Sequence, residues 1–176
     1  TFMVSSQSKK FFEDSTVKIG SQFPIFHIAD PDAHENGGQI FANVSTSIGY
    51  FEFPDRTYLN GLAANLTNLK KTIVFRGVPS KINAALYQMK LVLPRDWSGE
   101  GFLTAKCNDL GSHGYDVVKN ANFLEDSKII KFTVTPVNDP PTVIVGVNNS
   151  IFMKEDENLT MKGLISFHDD DSSDFD

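Results

Sequence analysis

Cysteine is almost absent: Cys107 is the only one in 176 residues, so no disulfide within the chain can staple the fold. No apolar run approaches the roughly 18 residues that cross a bilayer, and no N-terminal signal pattern is present. Sixteen basic residues form no run longer than Lys70-Lys71, against a net charge of −6. That balance excludes an electrostatic grip on nucleic-acid phosphates. His27, His34, His113 and His168 lack the ligand spacing of a zinc site. No glycine-rich loop precedes a helix to cradle phosphate, and Gly111-Ser112-His113-Gly114 has no nucleophile-elbow context. Among Glu52, Asp55, Asp96 and Glu100, spacing singles out no pair for glycoside chemistry. The chain is not expected to be an enzyme.

What is present is apolar, aromatic and strand-like. Hydrophobic residues make up 40% of the chain and include 15 Phe, enough for a sizeable core. Short β-type runs recur between turn residues: Val17–Ile19, Ile25–Ile28, Gln39–Val44, Tyr50–Phe53, Thr72–Phe75, Leu91–Leu93, Gly101–Ala105 and Lys128–Thr135. In the last run, Ile130, Phe132 and Val134 would face one way and Lys131, Thr133 and Thr135 the other. Cys107 alternates inward with Leu103 and Ala105 as a small core residue, and Trp97 reads as a buried anchor. Short strands at this density predict an antiparallel sandwich. Ser80–Met89 is the one helical segment, with Ser80 suited to the N-cap and Ile82, Leu86 and Met89 on one face.

Two features organise the chain. Val134-Thr135-Pro136-Val137-Asn138-Asp139-Pro140-Pro141-Thr142-Val143 reads as a strand end, a stiff linker and a new strand, because consecutive prolines hold the backbone extended. On either side of it the same order recurs. Glu13-Asp14 is followed by Ile25–Ile28 and then Asp30-Pro31-Asp32; Glu155-Asp156 is followed by Leu164–Phe167 and then Asp169-Asp170-Asp171. This repeat predicts a β-domain over 6–136, a linker at 137–142 and the opening of a second repeat at 143–176. The chain is therefore expected to be a piece of something longer.

Residue by residue, this order resembles tandem cadherin-like repeats and the proteoglycan-type repeats of very large surface proteins. Those repeats carry an acid near the first strand, Asp-x-Asp after the second, acids before a late strand, Asp-x-Gly after it, and Asn-Asp with Pro at the exit. Here the matching positions are Glu13; Asp30 and Asp32; Asp96, with Glu100 the only other acid near it; Asp109-Leu110-Gly111; and Asn138-Asp139-Pro140-Pro141. The second Asn that the family places after the linker Asp is missing. The resemblance implies a Greek-key β-sandwich of cadherin or immunoglobulin type with one short inserted helix, followed by the start of a like repeat.

It also implies calcium, a cation that takes six to eight oxygen ligands. Glu13, Asp96, Asn138, Asp139, Asp169 and Asp171 would serve the junction, and Asp30, Asp32 and Asp109 the other pole. Acid runs such as 168–174 are also common as plain solvated surface. A lone cysteine favours a reducing compartment, but the sequons at Asn43, Asn65, Asn148 and Asn158 outnumber the one or two roughly expected by chance. They argue for an extracellular or cell-surface glycoprotein. The expected function is a calcium-rigidified repeat serving adhesion or spacing. Its partners would be neighbouring repeats of the same chain, and beyond them other copies of itself or another surface protein. The alternative is a building block of a glycosylated filament or matrix, with calcium incidental. A sugar-binding module would require a concave aromatic patch.

Overall fold

The computed structural model describes residues 2–3, 9–22, 26–30, 33, 38–64, 71–111, 123–146, 151–160 and 162–171. The chain forms two compact units, Thr1–Pro136 and Val137–Asp176. The first runs β1 (Phe2–Met3), β2 (Lys9–Phe12), β3 (Thr16–Lys18), α1 (Ile19–Gln22), β4 (His27–Ile28), β5 (Ile40–Thr46) and β6 (Tyr50–Glu52). A 3-10 turn (Arg56–Leu59) leads to β7 (Ala63–Ala64), β8 (Thr72–Gly77), α2 (Pro79–Gln88), β9 (Lys90–Val92), β10 (Gly99–Asn108) and β11 (Glu125–Thr135).

The long strands form because their apolar residues recur at every second position, which puts them all on one face. β5 buries Ile40, Ala42 and Val44; β10 buries Leu103, Ala105 and Cys107; β11 buries Ile130, Phe132 and Val134. These strands lie in a six-stranded sheet of order β2-β11-β10-β5-β8-β7, while β3-β9-β6 and β1-β4 form smaller sheets. One core joins them: Val17, Phe51 and Leu91 of the three-stranded sheet cluster with Ala42, Phe75 and Phe132 of the large one. The first unit is thus mostly β, consistent with a β-sandwich. Trp97, expected to be buried, packs only half-buried against the core.

The expectation of a purely antiparallel arrangement needs correction. β2 pairs parallel to β11, with Lys9 opposite Phe132 and Phe12 opposite Thr135, so the large sheet is mixed. Lys9–Phe12 puts two lysines before two phenylalanines, and a pattern without alternation gives no strand signal. The helix is also offset by one residue. Pro79 fills its first turn behind Val78, which caps without a side-chain bond, because Pro suits a position whose N–H has no helical partner. Ser80 therefore lies inside the helix. Ile82, Leu86 and Met89 are buried as their spacing predicts. From this helix Asn83 accepts the N–H of Ile28 at 2.9 Å and donates to its carbonyl at 2.9 Å. The side-chain amide thus does for β4 what a neighbouring strand would.

In the second unit β12 (Thr142–Val145) pairs antiparallel with β13 (Ile165–His168), setting Val143 opposite Phe167. Every residue of both strands is exposed. Leu164, expected at the head of this strand, lies in the preceding turn. The repeat order is visible in the pairing. In the first unit Phe2 faces Ile28, two residues before Asp30, as Val143 faces Phe167 two residues before Asp169. Each acidic pair forms a turn whose second residue has a left-handed backbone, φ 56° at Asp14 and 67° at Asp156. Asp enters that region more readily than most residues with a Cβ.

Candidate metal centre

β2 runs straight into the Glu13-Asp14 turn. The Glu13 N–H donates to the Thr135 carbonyl at 3.1 Å, which extends the pairing with β11 by one step. Glu13 is buried, at 6% exposure. Asp14 Oδ1 accepts the N–H of Asp96 at 3.3 Å. Asp96, with φ 51°, lies in the turn that leads into β10. A carboxylate oxygen of Asp14 lies within 4.8 Å of one of Asp96. This pole, where β11 ends and β10 begins, therefore holds three acids. Glu100 is not among them, because it faces outward and pairs with Lys131 Nζ at 2.5 Å.

The opposite pole is built differently. Asp109 Oδ1 accepts the N–H groups of Gly111 at 2.9 Å and Leu124 at 2.8 Å, so it ties the base of the β10–β11 connection. Leu110 and Gly111 take the left-handed backbone that this turn demands, φ 58° and 67°. Asp30 Oδ1 accepts the Ala33 N–H at 3.1 Å, a local turn bond. Burial pushes the Cys107 thiol pKa up. Among the described residues neither Asp30 nor Asp109 belongs to a group of three potential metal ligands. Asp32 lies outside the described residues.

Within the second unit, the Asp139 N–H donates to Asp171 Oδ2. The Asp171 N–H in turn donates to Asp169 Oδ1 at 3.0 Å. Asp139 and Asp171 each present a carboxylate oxygen within 4.8 Å of the other. Asn138 Nδ2 donates to the Asp139 carbonyl at 3.4 Å, and Asp170 Oδ1 contacts His168 Nε2 at 2.9 Å.

The donor set fits a hard cation. Two oxygens bound to one calcium can lie at most about 5 Å apart, twice the metal–oxygen distance. The Asp14–Asp96 and Asp139–Asp171 separations both satisfy that limit. Among the described residues these groups offer carboxylates and no histidine or thiolate, the oxygen chemistry that suits calcium or magnesium over zinc or copper. Asp14 was not among the ligands expected from the sequence. Its signal was there, in the recurrence of the acidic pair as Glu155-Asp156.

Of the sequons, Asn43 sits mid-strand in β5, between Lys106 of β10 and Val74 of β8, and not in a loop or at a strand end. Its side chain is half-buried on the outer face of the sheet. Asn158 is exposed, and Asn65 and Asn148 lie outside the described residues. Comparison with family models, with curated proteins and with solved structures finds no match.

Proposed function

We propose that the chain is a non-enzymatic module of a large extracellular or cell-surface protein, rigidified by calcium and serving adhesion or spacing. The observation that carries this reading is a carboxylate pair of calcium-spanning separation in each unit, Asp14–Asp96 and Asp139–Asp171. The repeated acidic turns at Glu13-Asp14 and Glu155-Asp156 support it, because like turns in two units imply one architectural plan. Carbonyls and water complete the six to eight oxygens that calcium takes. The Greek-key connectivity and cadherin type implied by the motif order belong to the same proposal.

A calcium titration of the whole chain followed by thermal unfolding tests it. A hundredfold excess over Kd adds about 2.7 kcal/mol, a rise of about 5–10 °C for a chain of this size. Asp14→Asn with Asp96→Asn should remove most of that response in the first unit, and Asp139→Asn should weaken it in the second. An identical melting curve in calcium and in chelator would overturn the proposal. The filament reading draws on a different observation, the exposed apolar side chains of Val143, Ile144, Val145 and Phe167, which suit packing against further chains. Sedimentation in chelator separates the two, since only the filament reading expects assembly without calcium.

A further inference from the structure

On the outer face of the large sheet, three strands place six side chains in two rungs. Asn43, Lys106 and Ser127 lie in line across β5, β10 and β11, and one step along lie Phe41, Asn108 and Glu125. Together they floor a cavity of about 390 Å³, a volume typical of small-molecule sites.

The two rungs differ in how their polar groups are engaged. Asn108 Nδ2 donates to Glu125 Oε1 at 2.7 Å, and Asn108 Oδ1 accepts the Leu110 N–H at 2.7 Å. This rung is held in place beside the half-buried Phe41. Among the described residues, the side chains of Asn43, Lys106 and Ser127 have no hydrogen-bond or ion-pair partner. The open rung thus offers an amide, an ammonium and a hydroxyl, donors and acceptors together. The charges nearly cancel, Lys106 against Glu125, with Asp126 paired to Lys128 at 3.4 Å.

We propose that this platform binds a saccharide, with the single ring of Phe41 in its floor standing in place of the broader aromatic patch expected of a sugar-binding module. A sugar ring presents a C–H face that packs on an aromatic ring and hydroxyl edges that both donate and accept. A near-neutral floor with one ring beside amides and a hydroxyl matches that pattern better than it matches an anion, a metal ion or a wholly apolar ligand. The alternation that turns Asn43 outward also turns Ser45 outward, so the Asn43-Val44-Ser45 sequon lies on the same face. The sugar comes either from outside the chain or from a glycan carried on Asn43; in the second case Asn43 is the attachment point, and Phe41, Lys106 and Ser127 supply the contacts. This site is independent of calcium and of the acidic poles.

Two experiments on the whole chain test the proposal and separate the sources. In unglycosylated protein, N,N′-diacetylchitobiose is titrated while backbone amide shifts are followed by NMR. Millimolar-range perturbations should be confined to the two rungs, and Phe41→Leu should weaken binding about fivefold, the worth of one aromatic contact. Lys106→Ala, on the exposed rung, tests the same floor without touching the core. In protein from a secretory host, glycopeptide mapping at Asn43 and nuclear Overhauser contacts between its first sugar and the Phe41 ring report the attached source. Binding in the first experiment alone assigns an external sugar, and contact in the second alone assigns the chain's own glycan. No perturbation by chitobiose, together with no Phe41 contact from any Asn43 glycan, would overturn the proposal.

Discussion

Asn83 shows how much one side chain settles. Its amide meets both backbone groups of Ile28, which lies at 1% exposure. Asn83→Ala strands a buried donor and a buried acceptor, at an expected cost of about 2–4 kcal/mol. Chemical denaturation should show a lower midpoint with an unchanged slope. Cys107 gives a second expectation. Burial pushes its thiol pKa above the ordinary value of 9.0. Below that value, folded and unfolded chains both keep the proton, so the stability from the buried thiol is fully present. As pH climbs past it the unfolded chain ionises first, and that stability is lost through the folded pKa. Alkylation at about pH 8.5 should be slow in the native chain and fast in guanidinium, since only the thiolate attacks; equal rates would show the thiol to be accessible. At this scale the sequence was informative, because alternation alone placed Cys107, Ile130, Phe132 and Val134 inward. Asn83 was not legible, because an exposed helix surface and a bond to a strand 55 residues away look alike in a sequence.

At the scale of elements, close approach decides more than propensity. α1 packs on α2 at Gly20, where an added Cβ would meet the backbone oxygen and Cα of Tyr87. A backbone cannot rotate aside as a side chain can, so Gly20→Ala is expected to cost about 1–3 kcal/mol, read as a lower melting temperature. Gly146→Ala, against the Gly163 carbonyl in the second unit, should leave the first unit's transition unmoved. Strand positions were legible wherever apolar residues alternated, and the helix wherever they recurred at i, i+4 and i+7. β2 escaped because Lys9–Phe12 does not alternate, and its parallel pairing is set by tertiary contact. The Ser80 cap failed because Pro79 already occupied the first turn.

Across the whole molecule the units differ in what supports them. Among the described residues the first has a core of 23 buried hydrophobic side chains, whereas β12 and β13 expose every residue, and a two-stranded ribbon is marginal in water. Amides of β12–β13 should therefore exchange with deuterium at least about a hundredfold faster than those of β10; equal protection would mean that the ribbon gains support in solution. The repeat was legible because acidic pairs and Asp motifs keep their order, and the turns at Asp14 and Asp156 share a left-handed backbone. The Asp14–Asp96 meeting was not, since it joins turns 82 residues apart. The parallel seating of β2 on β11 bears also on mechanical load. A chain pulled toward its N-terminus through β2 and toward its C-terminus through β11 draws the two neighbours in opposite directions along their length. All the bonds between Lys9–Phe12 and Phe132–Thr135 then resist in shear, and none is peeled open singly. Resistance to this shear thus rests on four residue pairs, and proline at Phe11, which deletes a strand N–H, should lower the rupture force in single-molecule pulling.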